Sequence, residues 1–407
     1  MKCGLLGRKL GHSYSPQIHA LFGNYSYQLF EKEPEEIGDF LKNGDFTGLN
    51  VTIPYKKEVI PFLDELSPAA ARLGAVNTIV RRDGKLIGHN TDYFGFRRLV
   101  QESGLQVAGK KVLVLGSGGA SSTAVAVLQE LGAKVTVISR SGENNYENLD
   151  RHADAAVIAN TTPVGMYPNT GKSALSLEGF PRLEGVLDAV YNPARTQILL
   201  DAERRGLAAV NGLWMLVAQA KESAEWFTGE KIPDSRIAKI HHTLRLQMEN
   251  IILIGMPGCG KTAVGQQLAQ KLGKKFVDAD ESLEARVCRK ITDIIPNDGE
   301  AAFREMESET LAELGKQSGL VIATGGGCVT QPQNYPLLHQ NGTIFWLKRE
   351  LDKLPTDGRP LSQKGTLGQM YEARMPLYLR FADAAISNDG SIAETASAIC
   401  RKLEETT

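Results

Sequence analysis

Gly255-Met-Pro-Gly-Cys-Gly-Lys-Thr262 directly follows the apolar run Ile251-Ile-Leu-Ile254. It matches G-x-x-x-x-G-K-[ST] and lies between a predicted strand and a predicted helix over 263–272. Its glycines let backbone N–H groups surround a polyphosphate, while Lys261 reaches the β/γ-phosphates and the Thr262 hydroxyl ligates Mg²⁺. The pattern predicts a phosphate-binding loop. Because such a loop normally follows the first strand of its domain, the residues ahead of it require a separate explanation.

The composition is that of a globular protein with small-molecule ligands. The chain has 407 residues, of which 42% are hydrophobic and 23% charged, and this length predicts about two to three domains. The formal net charge is −1, so neither nucleic acid nor a membrane surface is favoured as a partner. No apolar run approaches the roughly 20 residues that span a bilayer.

The cysteines predict a reducing compartment, the cytoplasm. They are odd in number, show no C-x-x-C spacing and follow no signal peptide. The seven histidines show no zinc-ligand spacing, and the sequence is compatible with a monomer. Inside the phosphate-binding loop, Cys259 is either a small buried hydrophobe or an oxidation-sensitive thiol. The five cysteines are Cys3, Cys259, Cys288, Cys328 and Cys400.

Strand and helix signals alternate from Lys2 onwards, which predicts α/β structure. In Gly11-His-Ser-Tyr-Ser-Pro16, two serines precede a helix whose first-turn proline is favoured. Either one serine only caps that helix, or the hydroxyls face a ligand. In Asn50-Val-Thr-Ile-Pro-Tyr-Lys56, a strand leaves Thr52 and Lys56 at its C-terminal end, where open α/β sheets place ligands.

A lysine and an aspartate form the candidate proton-transfer pair. Asp92 ends Gly88-His-Asn-Thr-Asp92, just ahead of a predicted helix. Held beside Lys56, its carboxylate would keep the lysine charged and oriented while a substrate oxygen gains or loses a proton. The alternatives are that Asp92 only caps the helix and that Lys56 is a solvated surface residue. The sequence leaves the contact between them open.

A second phosphate-binding pattern lies in a predicted βαβ unit. A strand over 111–115 leads into Gly116-Ser-Gly-Gly-Ala-Ser121, followed by a helix over 124–131 and a strand over 133–138. The pattern G-x-G-x-x-S is close to the dinucleotide fingerprint, with the pyrophosphate at the helix N-terminus. The next strand ends at Ser139-Arg140-Ser141, where an arginine accommodates a 2′-phosphate and favours NADP. The alternative is that Arg140 is a surface residue in a loop.

Two later segments complete this half of the chain. A strand over 186–191 precedes a helix predicted from Ala194, and Gly212-Leu-Trp-Met-Leu-Val-Ala-Gln219 enters another helix. Its apolar residues are interpreted as core, while the Gln219 amide is available to bond a polar substrate.

Residues 1 to about 247 resemble shikimate dehydrogenase. The resemblance rests on His12-Ser-Tyr-Ser-Pro16, Asn50-Val-Thr-Ile-Pro-Tyr-Lys56, Ala75-Val-Asn-Thr78, Asn90-Thr-Asp92, Gly116-Ser-Gly-Gly-Ala120 and Met215-Leu-Val-Ala-Gln219. It implies reduction of 3-dehydroshikimate to shikimate, with hydride from NADPH delivered to the C3 carbonyl carbon. Lys56 and its surroundings would supply the proton and stabilise the forming alkoxide.

The resemblance also assigns roles to residues. Lys56 and Asp92 would be the catalytic pair. The substrate carboxylate would be bound by Ser13, Ser15 and Tyr191, and the ring oxygens by Thr52, Asn77 and Gln219. NADP would be bound by Gly116, Ser117, Gly118, Gly119, Ala120 and Arg140, with Ala189 and Gly212 beside the nicotinamide.

One departure concerns the 2′-phosphate. NADP-using members often have a second arginine shortly after the first, whereas this chain reads Gly142-Glu-Asn-Asn145. One arginine is left and Glu143 stands nearby, which weakens the preference for NADPH. We still predict that NADPH is preferred over NADH.

The chain from Met248 onwards resembles shikimate kinase. Beyond the phosphate-binding loop it carries Val277-Asp-Ala-Asp280-Glu281, Ala302-Phe-Arg304-Glu-Met-Glu307, Ala323-Thr-Gly-Gly-Gly327, Gly358-Arg-Pro-Leu361 and Glu372-Ala-Arg-Met-Pro-Leu-Tyr378. The resemblance implies transfer of a phosphoryl group from Mg-ATP to the 3-hydroxyl of shikimate, a reaction that depends on positioning and charge neutralisation.

The kinase resemblance assigns roles as well. Lys261 and Asp280 would be catalytic, the aspartate orienting the 3-hydroxyl and accepting its proton. Mg²⁺ would be held by Thr262 and Asp278. The substrate would be bound by Asp280, Arg304, Gly326 and Arg374, and ATP by Gly258, Cys259, Gly260, Lys261, Thr262, Ala263 and Arg359. Arg359 belongs to a compact lid between 348 and 373 that predicts loose closure over the nucleotide.

The predicted architecture is α/β throughout. A substrate-binding domain over 1–95 is completed by helices over 211–247, a Rossmann NADP domain spans 96–210, and a nucleoside-monophosphate-kinase-like domain with the phosphate-binding loop spans 248–407. Two alternatives stay open. One is a quinate-type dehydrogenase joined to a kinase for another polyol acid, and the other is a scaffold or sensor in which one half binds without turnover.

Overall fold

The computed structural model describes residues 1–11, 13–354 and 367–405, which form two compact units. Unit 1 comprises Met1–Gly165, Lys172–Tyr191 and Ile198–Thr243, and unit 2 comprises Met166–Gly171, Asn192–Gln197 and Leu244–Thr407. The division near residue 244 falls inside the helix Ser235–Met248, which the sequence places last in the first half. Each unit has its own apolar core.

The first sheet of unit 1 is mixed, with the strand order β2-β1-β3-β5-β6-β4. Strand β1 pairs in parallel with both β2 and β3, whereas β5 is antiparallel to β3 and to β6. Helix α4 packs through Phe96, Leu99 and Val100, which repeat at helical spacing and are buried. The elements are β1 (Lys2–Gly7), α1 (Ser15–Phe22), β2 (Ser26–Glu31), α2 (Ile37–Asn43), β3 (Gly48–Val51), β4 (Glu65–Leu66), α3 (Pro68–Leu73), β5 (Thr78–Arg82), β6 (Lys85–His89) and α4 (Asp92–Glu102).

The second sheet of unit 1 is fully parallel, in the order β11-β10-β9-β7-β8. The apolar runs of β7 and β9 are buried along their length, as expected for strands covered on both faces. The elements are β7 (Lys111–Leu115), α5 (Gly119–Glu130), β8 (Lys134–Ile138), β9 (Val157–Asn160), β10 (Gly185–Asp188), α6 (Gln197–Arg204), β11 (Ala208–Val210), α7 (Leu213–Thr228) and α8 (Ser235–Met248).

Two helices of this region begin elsewhere than the sequence predicts. Helix α5 starts at Gly119 instead of Ala124, with Gly118 as the N-cap residue. Glycine is a poor helix former, so propensity favoured a longer loop, yet the first helical turn is where free N–H groups meet a ligand. Helix α6 starts at Gln197 instead of Ala194.

Unit 2 contains one parallel sheet in the order β13-β14-β12-β15-β16. Strand β12 is central and buried along its length, so the phosphate-binding loop leaves the middle of the sheet at its C-terminal edge. Helix α11 is interrupted at Gly299, where φ is 88°. The elements are β12 (Asn250–Ile254), α9 (Lys261–Leu272), β13 (Lys275–Asp278), α10 (Ala279–Val287), α11 (Ile291–Gly315), β14 (Leu320–Ala323), α12 (Asn334–His339), β15 (Gly342–Lys348), α13 (Leu367–Phe381), β16 (Ala384–Ser387) and α14 (Ile392–Glu405).

Short 3₁₀ helices connect several of these elements. They lie at Pro34–Glu36, Ile60–Phe62, Leu149–His152, Cys328–Thr330 and Leu351–Lys353. Across the described residues, the helices are all too short or too polar to serve as a membrane span.

Candidate active sites

Lys56 and Asp92 form an ion pair in unit 1. The Lys56 ammonium donates a hydrogen bond to Asp92 Oδ2 at 2.5 Å, and the two side chains are 26% and 12% exposed. Asp92 is the first residue of α4, and the N-cap position is taken by Thr91, which makes no side-chain cap hydrogen bond. The carboxylate is therefore directed to the lysine and does not serve as a helix cap. A largely buried ion pair of this kind holds the amine in a fixed position.

Asn77 lies beside this pair because backbone hydrogen bonds connect the segments. The Val76 N–H donates to the Lys56 carbonyl oxygen at 2.7 Å. The Asn77 Oδ1 accepts from the Thr91 N–H at 2.7 Å, while its Nδ2 donates to Thr91 Oγ1 at 3.0 Å. The structure thus brings Lys56, Asn77 and Asp92 together at the ends of three segments that are far apart in sequence.

A buried hydroxyl network supports the segments that hold Lys56, Asn77 and Asp92, and no sequence pattern predicts it. Ser223 of α7 is fully buried. Its Oγ lies 2.8 Å from Asn50 Nδ2, 2.8 Å from Thr78 Oγ1 and 3.0 Å from Thr91 Oγ1. Buried polar groups are costly unless they are hydrogen-bonded, so a satisfied network fixes the segments it joins. Only the tertiary fold places α7 against these strands, and serine inside a helix carries no motif signal.

The other predicted substrate residues lie on separate elements. The Ser13 Oγ accepts a hydrogen bond from the Ser15 N–H at 3.2 Å, a local turn at the start of α1. The Tyr191 ring meets Tyr14 edge-on with centroids 6.1 Å apart. The Gln219 side-chain amide donates to the Leu216 carbonyl of its own helix at 2.9 Å. Among the described residues, these side chains form no hydrogen bond with the Lys56–Asp92 pair.

Thr52 stands where β3 has ended. Its N–H donates to the Leu6 carbonyl at 3.0 Å, and its carbonyl accepts from the Tyr55 N–H at 2.9 Å. This turn places Thr52 ahead of Lys56 on the same C-terminal edge of the first sheet.

A cavity of about 860 Å³ joins the glycine loop of the second sheet to Lys56. At Gly116, φ is 109°, a backbone conformation that favours glycine. The Ser121 hydroxyl donates to the Gly116 carbonyl at 2.7 Å and closes the loop onto the first turn of α5. The N-terminal amides of that helix are suited to a pyrophosphate, so the residues present fit a dinucleotide. The cavity is lined at this end by Gly116, Ser117, Gly118, Gly119, Ala120, Ser139 and Arg140.

Gly212 and Ala189 approach each other closely. A methyl group added at Gly212 would collide with the backbone of Ala189, so glycine is required at this position. The Gly212 N–H also donates to the Val190 carbonyl at 3.0 Å.

In unit 2, the phosphate-binding loop holds a lysine in its centre. Lys261 is 9% exposed, and its ammonium donates to the carbonyl oxygens of Gly255 and Met256 at 3.0 and 3.1 Å. Cys259 is buried, and its sulfur lies 4.0 Å from the same ammonium. The loop, the Gly258 and Gly260 backbone and Ala263 line a cavity of about 430 Å³.

Thr262 and Asp278 offer oxygen ligands at one wall of this cavity. The Thr262 hydroxyl donates to Asp278 Oδ2 at 2.9 Å, and the other carboxylate oxygen accepts from the Asp280 N–H at 3.0 Å. A hydroxyl and a carboxylate are ligands that Mg²⁺ prefers when waters complete its shell. The residues present therefore fit a magnesium ion. No cluster of three or more His, Cys, Asp or Glu suited to a metal occurs in the described part of the chain.

Asp280 lines the same cavity in an unfavourable electrostatic environment. Burial raises the pKa of its carboxyl to about 6, and the neighbouring charges of Asp278 and Glu307 act in the same direction. Lys261 and Arg304 oppose them. A carboxyl whose pKa approaches neutrality is suited to accept a proton.

Arg304 and Glu307 form a buried ion pair next to Asp280. Arg304 donates to Glu307 Oε2 at 2.7 Å, and the two side chains are 8% and 3% exposed. A second, exposed partner is Glu300, at 3.2 Å. Burial raises the pKa of Glu307, against the effect of Arg304. The other oxygen of Glu307 is buried without a hydrogen-bond partner, so this residue, which had no predicted role, faces the cavity with a free acceptor.

The glycine triplet at 325–327 lies against these charged side chains. A Cβ added at Gly325 would lie 2.6 Å from Glu307 Oε1 and 2.9 Å from Asp280 Oδ1. The Gly326 carbonyl accepts from Arg374 at 3.3 Å and from the Tyr378 hydroxyl at 2.5 Å. The structure therefore brings Asp280, Arg304 and Arg374 to one cavity with the phosphate-binding loop. Arg359 lies outside the described residues.

Asn388 supports the phosphate-binding loop through a hydrogen bond, and the sequence did not predict this contact. Its buried side-chain amide donates to the Cys259 carbonyl at 2.6 Å, and its Oδ1 accepts from the Thr395 hydroxyl at 2.7 Å. A Cβ at Gly260 would touch the same amide at 2.5 Å, so the close approach requires glycine there.

Comparison with known families agrees with both halves of the chain. The family model described as the shikimate dehydrogenase substrate binding domain matches residues 5–79, and the one described as shikimate kinase matches residues 257–404. A curated relative, the shikimate dehydrogenase (NADP(+)) of Clostridium perfringens, is 38% identical over 264 residues, which cover 60% of this chain and 97% of the relative.

Solved structures resemble the first part of the chain. The shikimate dehydrogenase 1 of Peptoclostridium difficile is 39% identical, with a TM-score of 0.56, covering 60% of this chain and 98% of that one. A chorismate mutase/shikimate 5-dehydrogenase fusion protein from Clostridium acetobutylicum is 36% identical, with a TM-score of 0.57, covering 60% of this chain and 96% of that one.

Proposed function

Because this chain belongs to the shikimate dehydrogenase family and continues into a shikimate kinase domain, we propose that one polypeptide catalyses two consecutive reactions. The first reduces 3-dehydroshikimate to shikimate with NADPH, and the second phosphorylates the 3-hydroxyl of shikimate with Mg-ATP. The observation that carries the proposal is that each of two cavities combines a phosphate-binding loop with candidate acid–base groups. Lys56, whose partner is Asp92, lines the first cavity, and Asp280 and Lys261 line the second.

In the reductive reaction, Lys56 is the proton donor. When bound, NADPH supplies the hydride, and the carbonyl oxygen of the substrate takes up negative charge as the hydride arrives. The Lys56 ammonium, oriented by Asp92 at 2.5 Å, stabilises that oxygen and then gives it a proton. Asn77, fixed by its two hydrogen bonds with Thr91, is placed to bind a ring hydroxyl beside the reacting carbon.

The remaining predicted residues bind the two ligands of this site. Thr52 and Gln219 take ring oxygens, while Ser13, Ser15 and Tyr191 take the carboxylate. One N–H of the Gln219 amide donates to the Leu216 carbonyl, and the second N–H and the amide oxygen would bind the substrate. NADP would be held by the glycine loop and α5, with Arg140 on the 2′-phosphate and with Ala189 and Gly212 beside the nicotinamide.

In the kinase reaction, Asp280 accepts the proton of the 3-hydroxyl. Its pKa of about 6 leaves it ionised at neutral pH while close enough to match the task of a general base. Arg304 and Arg374 hold the carboxylate of shikimate, and Gly326 lets the ring approach the backbone. Lys261 exchanges its carbonyl partners for the phosphates, and Thr262 and Asp278 hold Mg²⁺, which neutralises phosphate charge when bound.

The location and assembly state are also proposals. All five cysteines are free, which supports a reducing compartment, and we propose the cytoplasm. Both activities are proposed for a single copy of the chain, since every residue invoked comes from the same polypeptide.

The test is to incubate the purified chain with 3-dehydroshikimate, NADPH and Mg-ATP, omit each cofactor in turn, and identify products by mass spectrometry. We expect shikimate 3-phosphate only when both cofactors are present. A reaction that stops at shikimate contradicts the kinase assignment. If NADPH is not consumed, supplying shikimate or 3-dehydroquinate directly separates an active kinase from a quinate-type dehydrogenase. Absence of turnover in every arm would leave a binding protein and refute the proposal.

A further inference from the structure

The cavity that joins Lys56 to the glycine loop has a second end, at the C-terminus of β8. Arg140 and Tyr146 both line it there, together with Ser139, Ser173 and Ala174. This is the end of the second strand of the βαβ unit, where a dinucleotide places its adenosine ribose. The aromatic residue lies six positions beyond the arginine and carries no predicted role.

The loop that carries Tyr146 is held in place by its own hydrogen bonds. The Ser139 N–H donates to the Asn144 carbonyl at 3.2 Å, which closes the loop on the end of β8. Within the loop, the Asn145 N–H donates to Asn148 Oδ1 at 2.9 Å, and the Asn148 Nδ2 donates to the Glu143 carbonyl at 2.9 Å. These bonds fix the backbone on both sides of Tyr146, so its ring has a defined position in the cavity wall.

The hydroxyl of Tyr146 is available to a ligand. The side chain is half-buried and packs against the core of the second sheet. Burial raises the pKa of the phenol, and the charge of Arg140 acts against this, which places the guanidinium within electrostatic range of the hydroxyl. A phenol protonated at neutral pH offers one O–H donor, and among the described residues no acceptor takes it.

We propose that Tyr146 recognises the 2′-phosphate of NADP: its hydroxyl donates a hydrogen bond to a phosphate oxygen while Arg140 pairs with the same group. The inference rests on the proposed dehydrogenase function and deepens it. Tyr146 would replace the second arginine that this chain lacks. A tyrosine provides a neutral donor where a second arginine would provide a cation. The site therefore distinguishes NADPH from NADH, but with less positive charge than a two-arginine clamp provides.

Glu143 does not oppose this arrangement. The sequence places it near Arg140, where its charge would repel a phosphate. In the structure the residue is exposed, and within the described part of the chain it does not belong to the set that lines the cavity. An exposed carboxylate is screened by solvent and salt, so its repulsion is weak.

The experiment measures binding of adenosine 2′,5′-bisphosphate and adenosine 5′-monophosphate to the full chain by calorimetry. A parallel titration of the chain saturated with NADPH, which fills the dehydrogenase site, measures binding at the kinase site, and this contribution is subtracted. In the Tyr146→Phe variant we expect about tenfold weaker binding of the bisphosphate and unchanged binding of the monophosphate, because a hydrogen bond to a charged group is lost. Tyr146→Arg should strengthen binding of the bisphosphate alone.

The outcomes are distinguishable. Equal loss for both nucleotides in Tyr146→Phe, or no loss for either, overturns the proposal, since the ring would then stack on adenine or play no part. The matched control is Tyr371→Phe, which removes a phenol hydroxyl from α13 of unit 2. It should change the Kd of neither the bisphosphate nor the monophosphate. In Tyr146→Phe, the ratio of kcat/KM for NADPH to kcat/KM for NADH should fall in parallel with the affinity for the bisphosphate. If the unaltered chain binds no bisphosphate and oxidises no shikimate with NADP, the proposed function itself has failed.

Discussion

Two aspartates, Asp92 in unit 1 and Asp280 in unit 2, stand at the edges of the two proposed substrate sites in opposite surroundings. Asp92 is paired with the Lys56 ammonium at 2.5 Å. Asp280 is half-buried near Asp278 and Glu307, and its pKa is raised to about 6. In the proposed mechanism, the same residue type is the partner of a cation in one site and a proton acceptor in the other.

The comparison shows that burial and neighbouring charges together decide the role of a carboxylate. Reduction of a ketone needs a proton donor, so the useful arrangement is a lysine ammonium held in place by a carboxylate. Phosphorylation of a hydroxyl needs a group that takes a proton away, so the useful arrangement is a carboxylate whose charged form is disfavoured. Both arrangements use the C-terminal edge of a sheet, where strand ends bring distant segments together.

Breaking the Lys56–Asp92 pair has the largest expected effect. We expect Lys56→Met to lower kcat of the dehydrogenase by about 10²–10⁴, because the proton donor is lost and the Asp92 charge remains unpaired. The measurement is steady-state NADPH oxidation with 3-dehydroshikimate. Kinase activity of the same preparation should be unchanged, which shows that the chain is folded. Lys42→Met removes an exposed lysine of α2 and should leave both rates unchanged, whereas a loss below tenfold in Lys56→Met would contradict the role.

Removing the Asp280 carboxylate should affect rate and stability in opposite directions. Asp280→Asn is expected to lower kcat of the kinase by about 10²–10³. A carboxyl with a pKa of about 6 in the folded chain, against about 3.9 when unfolded, costs the folded state on the order of 3 kcal/mol above pH 6. The cost disappears as pH falls below about 4, since both states are then protonated.

The variant should therefore melt several degrees higher than the unaltered chain at neutral pH without ligands, and not at pH 4. Differential scanning calorimetry at the two pH values measures this. A variant that loses activity and melts lower at both pH values would mean that Asp280 supports the fold, and the comparison with Asp92 would fail.

The pH dependence of the kinase rate follows from the raised pKa of Asp280, and its expected effect is smaller than that of Asp280→Asn. Asp280 accepts a proton only when ionised, so kcat/KM for shikimate should rise about tenfold per pH unit below 6 and level off above it. The rate is measured at saturating Mg-ATP in a discontinuous assay that does not depend on coupling enzymes. An acid limb with its midpoint near pH 4 would show that Asp280 titrates as an ordinary carboxyl.

The sequence was a good guide wherever the information is local. Short segments of fixed period and spacing specify three features: the strand–helix alternation, the loop Gly255–Thr262 and the glycine loop at 116–121. The predicted α/β fold and the two predicted families follow from these features. The start of α5 was wrong by several residues because glycine propensity argued for a loop, whereas the first turn of the helix forms on Gly119.

Contacts between distant segments could not be predicted. Ser223 joins Asn50 to Thr91 only after α7 packs on the first sheet, and Asn388 reaches the Cys259 carbonyl from the end of β16. Neither residue belongs to a spacing rule. Tyr146 lies near a motif, but its access to the cavity depends on the turn that follows β8.

The smallest expected effect tests what sets the pKa of Asp280. In Glu307→Gln a negative charge that raises this pKa is removed, and Arg304, which lowers it, loses its buried partner. Both changes favour the ionised form of Asp280, so the acid limb of kcat/KM should move to lower pH. At pH 5.5 the rate should then be about twofold closer to its plateau value than in the unaltered chain. If Arg304 is displaced, the absolute rate falls, but the pH at the midpoint of the acid limb does not depend on that rate. Glu300→Gln is the matched control, since it removes the exposed partner of the same arginine at 3.2 Å but does not act on Asp280, and its limb should stay in place. If both limbs stay, burial and the charge of Asp278 set the pKa of Asp280, and Glu307 has no part in the contrast with Asp92.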